Sequence, residues 1–332
     1  MSNFDSKDGI WITWERQPRN VSMAKLLNIP LHELIVNQPR IIKYPILLFK
    51  TVFLILKSRP RFLFVQNPSI VLSFFAVVIG VFFPIAVVVD AHNSGIYPLE
   101  GKSRILNFFA KKIIGLAHAV IVTNQNIANY VANCGGNAIV FPDPLPDYQV
   151  RRKLSSNQAG NKFLFICTWA EDEPFLEVID AFSSLGNDFI LNITGNYKKK
   201  LSVDYVESLP LNINLLGFVS EERYQQELAN CDFTIDLTLR SNCLVCGAYE
   251  SIAMEVPAIV SDTQVNRDIF NVGFVYTENL SKSIQAAAIE CVARRNELNS
   301  EIKLMKESHN IRIEMNKLDL LRRISKEKKN EK

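Results

Sequence analysis

The clearest chemical pattern in the chain lies between Leu237 and Asp262, where a predicted strand, a polar loop, a helix and a second strand follow one another. A helix that starts just after a polar loop presents unpaired backbone N–H groups, and its dipole favours an anion at that end. A carboxylate one turn further along can accept hydrogen bonds from sugar hydroxyls. This combination is what a nucleotide-diphosphate sugar requires. The residues that carry the pattern are Arg240, Asn242, Cys246, Gly247 and Glu250.

A second polar group follows the β-branched run Ile85–Val89, which is typical of a buried parallel strand. The group contains Asp90, His92 and Asn93. Ligands of open α/β sheets bind at the carboxyl ends of the strands, so these side chains are expected at a site. A histidine beside a carboxylate and an amide can be oriented for proton transfer or for binding a sugar hydroxyl. We therefore predict that His92 and Asp90 are catalytic.

The stretch that ends in Ser261 resembles the donor-site motif of GT-B glycosyltransferases, especially family 4, in which two glutamates with seven residues between them precede a Pro-containing turn and a strand. Glu250 matches the second glutamate, and Pro257 and the strand after it follow in register. The first glutamate falls at Asn242, which keeps a carbonyl acceptor but has no charge. Many family 4 enzymes also place a basic pair near residue 170, which this chain lacks, so Arg240 is expected to replace it at the diphosphate.

Two further segments resemble the family of chitobiosyldiphosphodolichol β-mannosyltransferases. One is Asp90–Asn93, with Ala91 in place of a tryptophan, and the other is Thr168–Phe175. By the GT-B resemblance, loops that follow strands of the second domain bind the donor, and the amino-terminal domain meets the acceptor. The implied donor-binding residues in these loops are Thr168, Gly195, Gly217 and Phe218, and the implied residues on the acceptor side are Asn93 and Arg16.

Strand and helix patterns alternate along the whole chain, with β-branched strands, which predicts an α/β fold with parallel sheets. Three prolines in Pro142–Pro146 mark a linker, and a polar stretch, 151–161, follows it. We therefore expect the GT-B architecture of two Rossmann-like domains with parallel sheets that face a cleft. The expected boundaries are 1–146 for the acceptor-side domain, 147–305 for the donor domain and 306–332 for a helical tail that ends in a solvated basic run.

Composition excludes several classes of function. The chain has 332 residues and a net charge of only +3, which is too balanced to indicate a nucleic-acid partner. The first strand-to-helix loop, 13–19, contains no glycine, which argues against NAD or FAD. The CxxC pair at Cys243 and Cys246 lacks the further ligands that a zinc site needs, so neither a metal nor another cofactor is expected.

One helix predicts a membrane partner. Lys43, Lys50 and Lys57 recur every seven residues in an otherwise apolar helix within 41–61, so they share one face. Such a helix can lie on an anionic membrane with its apolar face buried and its lysines reaching the headgroups. The polar start Met1–Gly9 is not a secretory signal. We therefore expect a cytoplasmic protein that is peripherally associated with the inner face of the cell membrane.

The function implied by the resemblance is transfer of a sugar from a nucleotide-diphosphate sugar to a saccharide. This saccharide acceptor is expected to be carried on a lipid diphosphate. The expected enzyme is a metal-independent hexosyltransferase of bacterial exopolysaccharide or surface-glycan assembly. Two alternatives stay open at this stage. One is a nucleotide-sugar 2-epimerase on the same fold, and the other is a non-catalytic partner subunit of a transferase complex, which the loss of the first glutamate at Asn242 favours.

Overall fold

The computed structural model describes residues 8–67, 69–152 and 160–327. Part of the polar stretch after the linker, most of the polar amino-terminal segment and the end of the basic run lie outside the described residues. The chain divides into two compact units, Met1–Pro144 together with Ile311–Lys332, and Leu145–Asn310.

The first unit alternates strands and helices along the chain. Its elements are β1 (Gly9–Thr13), α1 (Pro18–Leu27), β2 (Leu31–Glu33), α2 (Arg40–Ser58), β3 (Phe62–Asn67), α3 (Ile70–Phe82), β4 (Ala86–Ala91), α4 (Asn93–Ile96), α5 (Arg104–Leu116), β5 (Ala119–Val122), α6 (Gln125–Asn133) and β6 (Ala138–Val140). All six strands are parallel and are ordered β2-β1-β3-β4-β5-β6. The order reverses between β1 and β3, which is where a doubly wound sheet opens a crevice at its carboxyl edge.

Both faces of the first sheet are covered. Helices α2, α3, α5 and α6 contribute to one core with Leu63 and Val89, and α1 contributes to the other with Trp11 and Phe64. This burial on both sides explains why β3 and β4 are nearly continuous apolar runs rather than alternating ones.

The second unit repeats the alternation. Its elements are β7 (Asn161–Phe165), α7 (Phe175–Ser183), β8 (Phe189–Thr194), α8 (Val203–Glu207), β9 (Ile213–Gly217), α9 (Glu221–Asn230), β10 (Phe233–Asp236), α10 (Cys246–Met254), β11 (Ala258–Ser261), α11 (Gln264–Ile269), β12 (Phe274–Thr277), α12 (Ser281–Ala293) and the first half of α13 (Arg295–Glu327). The six parallel strands are ordered β12-β11-β10-β7-β8-β9, the Rossmann order, with its reversal between β7 and β10.

The last helix differs from the expected tail. From Ile311 onward α13 belongs to the first unit, where Ile313, Leu320 and Ile324 are buried in the core that contains Trp11 and Phe64. Polar contacts add to this packing, because Arg323 donates to the Asn137 side chain at 2.9 Å and to the carbonyl of Ala138 at 3.0 Å. Residues 311–327 therefore belong to the first unit, and the buried side chains among them contribute to its core.

Helix α2 has an unusual outward face. The side chains of Ile41, Phe49, Phe53 and Leu56 are 88, 73, 60 and 63% exposed. Lys50 and Lys57 are also exposed and lie along one edge of this apolar surface, because seven residues correspond to two helical turns. In a surface helix of a globular protein the outward face is normally polar. Among the described residues, no helix is both long enough and apolar enough to cross a membrane.

Candidate functional site

A buried ion pair lies at the carboxyl edge of the first sheet. Arg19 of α1 donates from Nε to both carboxylate oxygens of Asp90, at 3.1 and 3.0 Å, and from Nη2 to Oδ1 at 2.9 Å. It also contacts Asp143 and the carbonyl of Phe141. Burial by itself lowers the pKa of the Arg19 guanidinium, but the two carboxylates outweigh it and hold the pKa above its ordinary value. Arg19 and Asp90 thus form one rigid charged unit behind the strand ends.

His92 is held by a different partner. Its Nε2 lies 3.2 Å from Nε2 of Gln66, at the end of β3, but 3.8 Å from Oδ2 of Asp90. The second distance exceeds a hydrogen bond. The sequence pairs Asp90 with His92 as catalytic residues, whereas in the structure Asp90 is engaged by Arg19 and Gln66 makes the contact with the ring.

The surroundings of Gln66 assign the protonation of His92. The Oε1 atom of Gln66 accepts from Asn20 at 2.7 Å and from the Thr13 hydroxyl at 3.2 Å, so its amide nitrogen faces the ring and Gln17. An amide nitrogen is only a donor, so Nε2 of His92 is the acceptor and the ring proton lies on Nδ1. Burial lowers the pKa of His92, with Asp90 opposing and Arg19 reinforcing this effect, so the ring is neutral near pH 7.

The neutral ring suits one kind of contact. The lone pair of Nε2 is already used by Gln66, and no described residue bonds Nδ1. The His92 side chain is 29% exposed. Its Nδ1–H can therefore donate to an oxygen of a bound molecule, which favours binding or polarising a hydroxyl or phosphate over abstraction of a proton.

The other two predicted residues of this unit differ in placement. Asn93 follows His92 as the first residue of α4 and is half-buried at the same strand end. Arg16 lies in the loop after β1, where its side chain is 80% exposed and 3.8 Å from a carboxylate oxygen of Glu33. Arg16 therefore lies at the surface, on the loop at the point where the strand order reverses.

In the second unit a carboxylate of the chain itself meets the start of α10. Asp236 ends β10, and its Oδ2 accepts from the backbone N–H of Gly247 at 2.7 Å. A Cβ at Gly247 would lie 2.4 Å from that oxygen, so the residue must be glycine for this approach. The helix amide that the sequence assigns to the diphosphate thus binds Asp236 in this structure. Cys246, the first residue of the helix, is exposed.

Glu250 lies one turn further along α10 and is half-buried. Its carboxylate accepts hydrogen bonds from the hydroxyls of Tyr224 and Tyr148. Burial raises the pKa of Glu250 even though these two hydroxyls lower it. Burial, followed by the charge of Glu250, also raises the pKa of Asp236 well above its ordinary value. Protonation therefore costs less at each of these two acids than at a solvated carboxylate, and a protonated carboxyl can donate a hydrogen bond.

A third carboxylate fills the loop after β7. Glu173 accepts from the backbone N–H groups of Thr168, at 3.0 and 3.1 Å, and Ala170, at 2.9 Å, and from the Thr168 hydroxyl at 2.8 Å. Trp169, between them, has a positive φ of 64°. Successive N–H groups around such a residue form an anion-binding concavity. Thr168 is thus placed at an anion site, but the anion in this structure is Glu173.

Arg240 is an exposed cation at this edge. Its Nε lies 3.2 Å from Oδ2 of Asp172, and its side chain is 55% exposed. Asp172 also accepts from the Thr238 hydroxyl at 3.0 Å, so the loop that follows β10 is tied to the loop that follows β7. A surface pair of this kind is weak enough for an incoming phosphate to compete for the guanidinium. Asn242, two residues later, is exposed.

Two glycines shape the other strand ends. Gly195 follows β8 with φ +87°, and a Cβ there would lie 2.2 Å from the carbonyl oxygen of Cys167. Gly217 ends β9 with φ +71°, and its carbonyl accepts from Gly195 N–H at 2.9 Å. Phe218 next to it is 89% exposed. The predicted donor residues of this unit therefore all lie at the carboxyl edge of one sheet.

Several residues at these two edges have no counterpart among the sequence predictions. Gln66, Asp236, Tyr148 and Tyr224 make the contacts described above. Of these four, Asp236 could have been predicted from the sequence, because it is a carboxylate near the end of a predicted central strand. Within the described ranges, no three His, Cys, Asp or Glu side chains are grouped so that they could hold a metal ion.

Similarity to known proteins lies in the structure rather than the sequence. No protein-family model and no curated protein matches the chain. The solved structure of Anabaena HepE in complex with UDP-glucose has a TM-score of 0.72 at 14% identity, over 94% of this chain and 99% of that one. Sucrose-phosphate synthase from Thermosynechococcus elongatus gives 0.72 at 12% identity, over 94 and 97%.

A nucleotide-sugar epimerase is also similar. UDP-GlcNAc 2-epimerase from Methanocaldococcus jannaschii has a TM-score of 0.53 at 11% identity, over 85% of this chain and 91% of that one. The similarity to HepE and sucrose-phosphate synthase covers nearly the whole length of both chains and agrees with the two parallel six-stranded sheets. The chain therefore has the GT-B fold.

Proposed function

We propose that this protein is a metal-independent hexosyltransferase that moves a sugar from a nucleotide-diphosphate sugar to a saccharide carried on a lipid diphosphate. It would act at the cytoplasmic face of the membrane, in assembly of a bacterial surface glycan or exopolysaccharide. The observation that carries the proposal is the carboxyl edge of the second sheet, where Gly195 and Gly217 lie at the ends of neighbouring strands, Arg240 follows β10 and Glu250 lies one turn into α10.

Donor binding follows from the chemistry of these groups. Gly195 and Gly217 let the backbone approach a ligand closely, and Arg240 can exchange Asp172 for a phosphate with bidentate geometry. Glu250 offers an acceptor, or in its neutral form a donor, to hydroxyls of the ribose or the sugar. The structure of HepE with UDP-glucose on the same fold supports a uridine nucleotide as the first donor to test.

Carboxylates crowd this edge, and in their ionised forms they repel a diphosphate. The raised pKa values of Asp236 and Glu250 reduce that conflict, because they lower the free-energy cost of protonating either carboxyl beside a phosphate. Glu173 is held by backbone amides that could bind a phosphate oxygen if its side chain rotated away. Donor binding would then involve an exchange of anions at the loop after β7.

The acceptor would contact the first unit. His92, with its proton on Nδ1, would donate to an acceptor oxygen, Asn93 would add amide contacts, and Arg16 would meet a phosphate from the loop after β1. Asp90 would act through Arg19, by keeping the strand ends in place. The apolar outward face of α2, with Lys50 and Lys57 along its edge, supports a membrane surface as the setting.

The first experiment is thermal unfolding with UDP, GDP, dTDP, ADP and CMP, each at millimolar concentration. A ligand at about 100 times its dissociation constant stabilises by roughly 2.7 kcal/mol, which gives a clear melting shift. We expect one nucleoside diphosphate to stabilise the wild type and to lose most of its effect on Arg240→Ala. Arg294→Ala is the matched control, because Arg294 also forms exposed ion pairs but follows α12, at the opposite edge of the sheet.

A shift that is absent for every nucleotide, on folded protein, would contradict the proposal and favour a non-catalytic partner subunit. A shift that survives Arg240→Ala would remove the assigned role of Arg240.

The similarity to the 2-epimerase favours one second candidate. An epimerase converts its nucleotide sugar without an acceptor, whereas a transferase releases nucleoside diphosphate only when an acceptor is present. Incubation of the stabilising nucleotide sugar with and without lipid-diphosphate saccharides distinguishes the two. Release of nucleoside diphosphate that depends on the lipid-linked saccharide is the expected result.

A further inference from the structure

An apolar cavity of about 580 Å³ lies in the first unit, at the edge opposite to His92. Its walls come from the last turns of α2 and α3, with Val52, Ile55, Phe75 and Ile79 among them. The volume falls within the range of about 300–1,000 Å³ that is usual for small-molecule sites. An apolar occupant would contact these walls and remove their apolar surface from water, which stabilises the complex.

The cavity is distinct from the candidate acceptor site. It is floored by residues 59–61 and 83–85, which immediately precede β3 and β4, so it lies at the amino ends of these strands. His92 and Gln66 lie at their carboxyl ends. Six residues of β3 at about 3.3 Å each separate the two positions by roughly 20 Å. A lipid chain in the cavity would therefore not place its headgroup beside His92.

Positive charge is concentrated at the rim. Arg59 and Arg61 line the cavity, and the exposed Lys57 precedes them in the last turn of α2. Arg61 donates to the carboxylate of Asp8 at 2.8 Å, so part of its charge is balanced. No carboxylate among the described residues pairs with Arg59. An apolar cavity with a positively charged rim suits a ligand with an apolar chain that ends in an anionic group.

The membrane-facing character of the neighbouring surface points in the same direction. The exposed side chains of Leu56 on α2 and of Phe83 just after α3 line the cavity, and Phe53 and Phe82 are further exposed apolar side chains on the same two helices. Large exposed apolar patches that adjoin basic residues are typical of contacts with anionic bilayers.

We propose that this cavity binds one hydrocarbon chain of an anionic membrane lipid, with the phosphate held by Arg59 and Arg61 at the rim. The bound lipid anchors the first unit to the bilayer and is not the glycosyl acceptor. This site does not depend on the nucleotide-sugar proposal, since nucleotide binding involves the second unit.

Alkyl phosphates test the site directly. Isothermal titration of octyl and decyl phosphate, below their micelle concentrations, measures the contribution of the chain. Each buried methylene is expected to strengthen binding about fourfold, so decyl phosphate should bind about 15-fold more tightly than octyl phosphate. Decyltrimethylammonium should bind at least tenfold more weakly than decyl phosphate. Equal binding of the two head groups, or no dependence on chain length, would overturn the proposal.

Substitutions in the cavity walls test where the hydrocarbon chain of the ligand binds. Ile79→Trp and Val52→Trp fill the cavity from different helices, and each should weaken decyl phosphate binding at least tenfold. Arg59→Gln should weaken it about fivefold or more. Phe53→Ser is the control, because Phe53 is exposed on α2 but does not line the cavity, and it should bind as the wild type does. Unchanged binding by both tryptophan variants would place the ligand elsewhere.

Flotation with bilayers then separates a lipid from a free anion. Wild-type protein should float with vesicles that contain phosphatidylglycerol, and Ile79→Trp should float at least fivefold less. Inorganic phosphate at the same concentration should not compete. Full flotation of Ile79→Trp would overturn the anchoring role. The melting shift with nucleotide should persist in Ile79→Trp, so that failure at the cavity can be told from failure at the donor site.

Discussion

Gln66 donates from its amide nitrogen to Nε2 of His92 at 3.2 Å, and this contact fixes the proton of the neutral ring on Nδ1. The amide orientation is set in turn by Asn20 of α1 and by Thr13, the last residue of β1. The state of His92 is thus determined by residues of β1, α1 and β3. A ring held in this way offers a donor and not a base, which distinguishes its role from that of a general base in proton transfer.

Gln66→Glu should raise the pKa of His92 above its ordinary value near 6.5, because a carboxylate stabilises the imidazolium that an amide donor disfavours. In the wild type, burial holds the pKa below 6.5. The measurement is an NMR titration of the histidine ring protons, with His92→Asn to identify the resonance. Gln125→Glu, on the exposed surface of α6, is the control and should leave the titration unchanged. An unaltered His92 pKa in Gln66→Glu would contradict the assigned contact.

Asp90→Asn should reduce the free energy of unfolding of the first unit by about 3–5 kcal/mol, since it leaves the buried Arg19 guanidinium without its principal partner. Asp143 is the other partner of Arg19, and its side chain is 21% exposed. Asp143→Asn should therefore reduce the free energy of unfolding by only about 1 kcal/mol. Denaturant unfolding followed by the fluorescence of the tryptophans in the first unit, with Trp169 replaced by Phe, measures both. Equal losses for the two variants would show that burial of Asp90 is not what makes the pair important.

Glu250→Gln should stabilise the second unit increasingly as pH rises. Burial raises the pKa of Glu250, so its contribution to stability is fully present below the ordinary value of about 4.5 and is lost as pH rises through the raised value. Glutamine keeps an acceptor for Tyr148 and Tyr224 and cannot ionise. Melting temperatures of the two proteins should therefore agree near pH 4.5 and diverge above it.

Glu222→Gln, exposed on α9, controls for the loss of one charge. Its difference from the wild type should be much smaller than that of Glu250→Gln throughout this pH range. A difference for Glu250→Gln that does not grow with pH would contradict the raised pKa.

Gly195→Ala and Gly217→Ala separate two reasons for glycine. Both residues have positive φ, and a side chain in that region costs about 1 kcal/mol. Only Gly195 has the carbonyl of Cys167 in the path of a Cβ, at 2.2 Å, whereas Gly217 has nothing within 4 Å. Gly195→Ala should therefore destabilise the second unit by ~3 kcal/mol or more, compared with about 1 kcal/mol for Gly217→Ala. Denaturant unfolding measures both, and equal values would contradict the close approach of the two loops.

The sequence predicts the fold well because its signals are local. Apolar β-branched runs such as Ile85–Val89 and the helix starts after polar loops repeat along both units, and they predict two parallel sheets. Local patterns do not predict the short helices α4, α8 and α11, because a few residues carry too little periodicity to be distinguished from loops. They also do not predict the break between α12 and α13 at Arg294.

The contacts within the site were harder to predict because they join distant positions. Arg19 and Asp90 are 71 residues apart, and Tyr224 reaches Glu250 across 26 residues. Glu173 stands where its residue type alone indicates a helix cap, but in the structure its side chain turns back to the amides of 168 and 170. Residue types therefore predicted which strand ends carry chemistry, and only the tertiary structure assigned the partners.

The burial of Ile313, Leu320 and Ile324 beside Trp11 and Phe64 has a consequence for biosynthesis. A chain that emerges from the ribosome makes all six strands of the first unit early, but the part of the sheet that α1 leaves uncovered waits until residue 324 has been translated. The unit that is synthesised first is thus the last to be completed, and the nascent chain exposes part of an apolar sheet face throughout synthesis of the second unit.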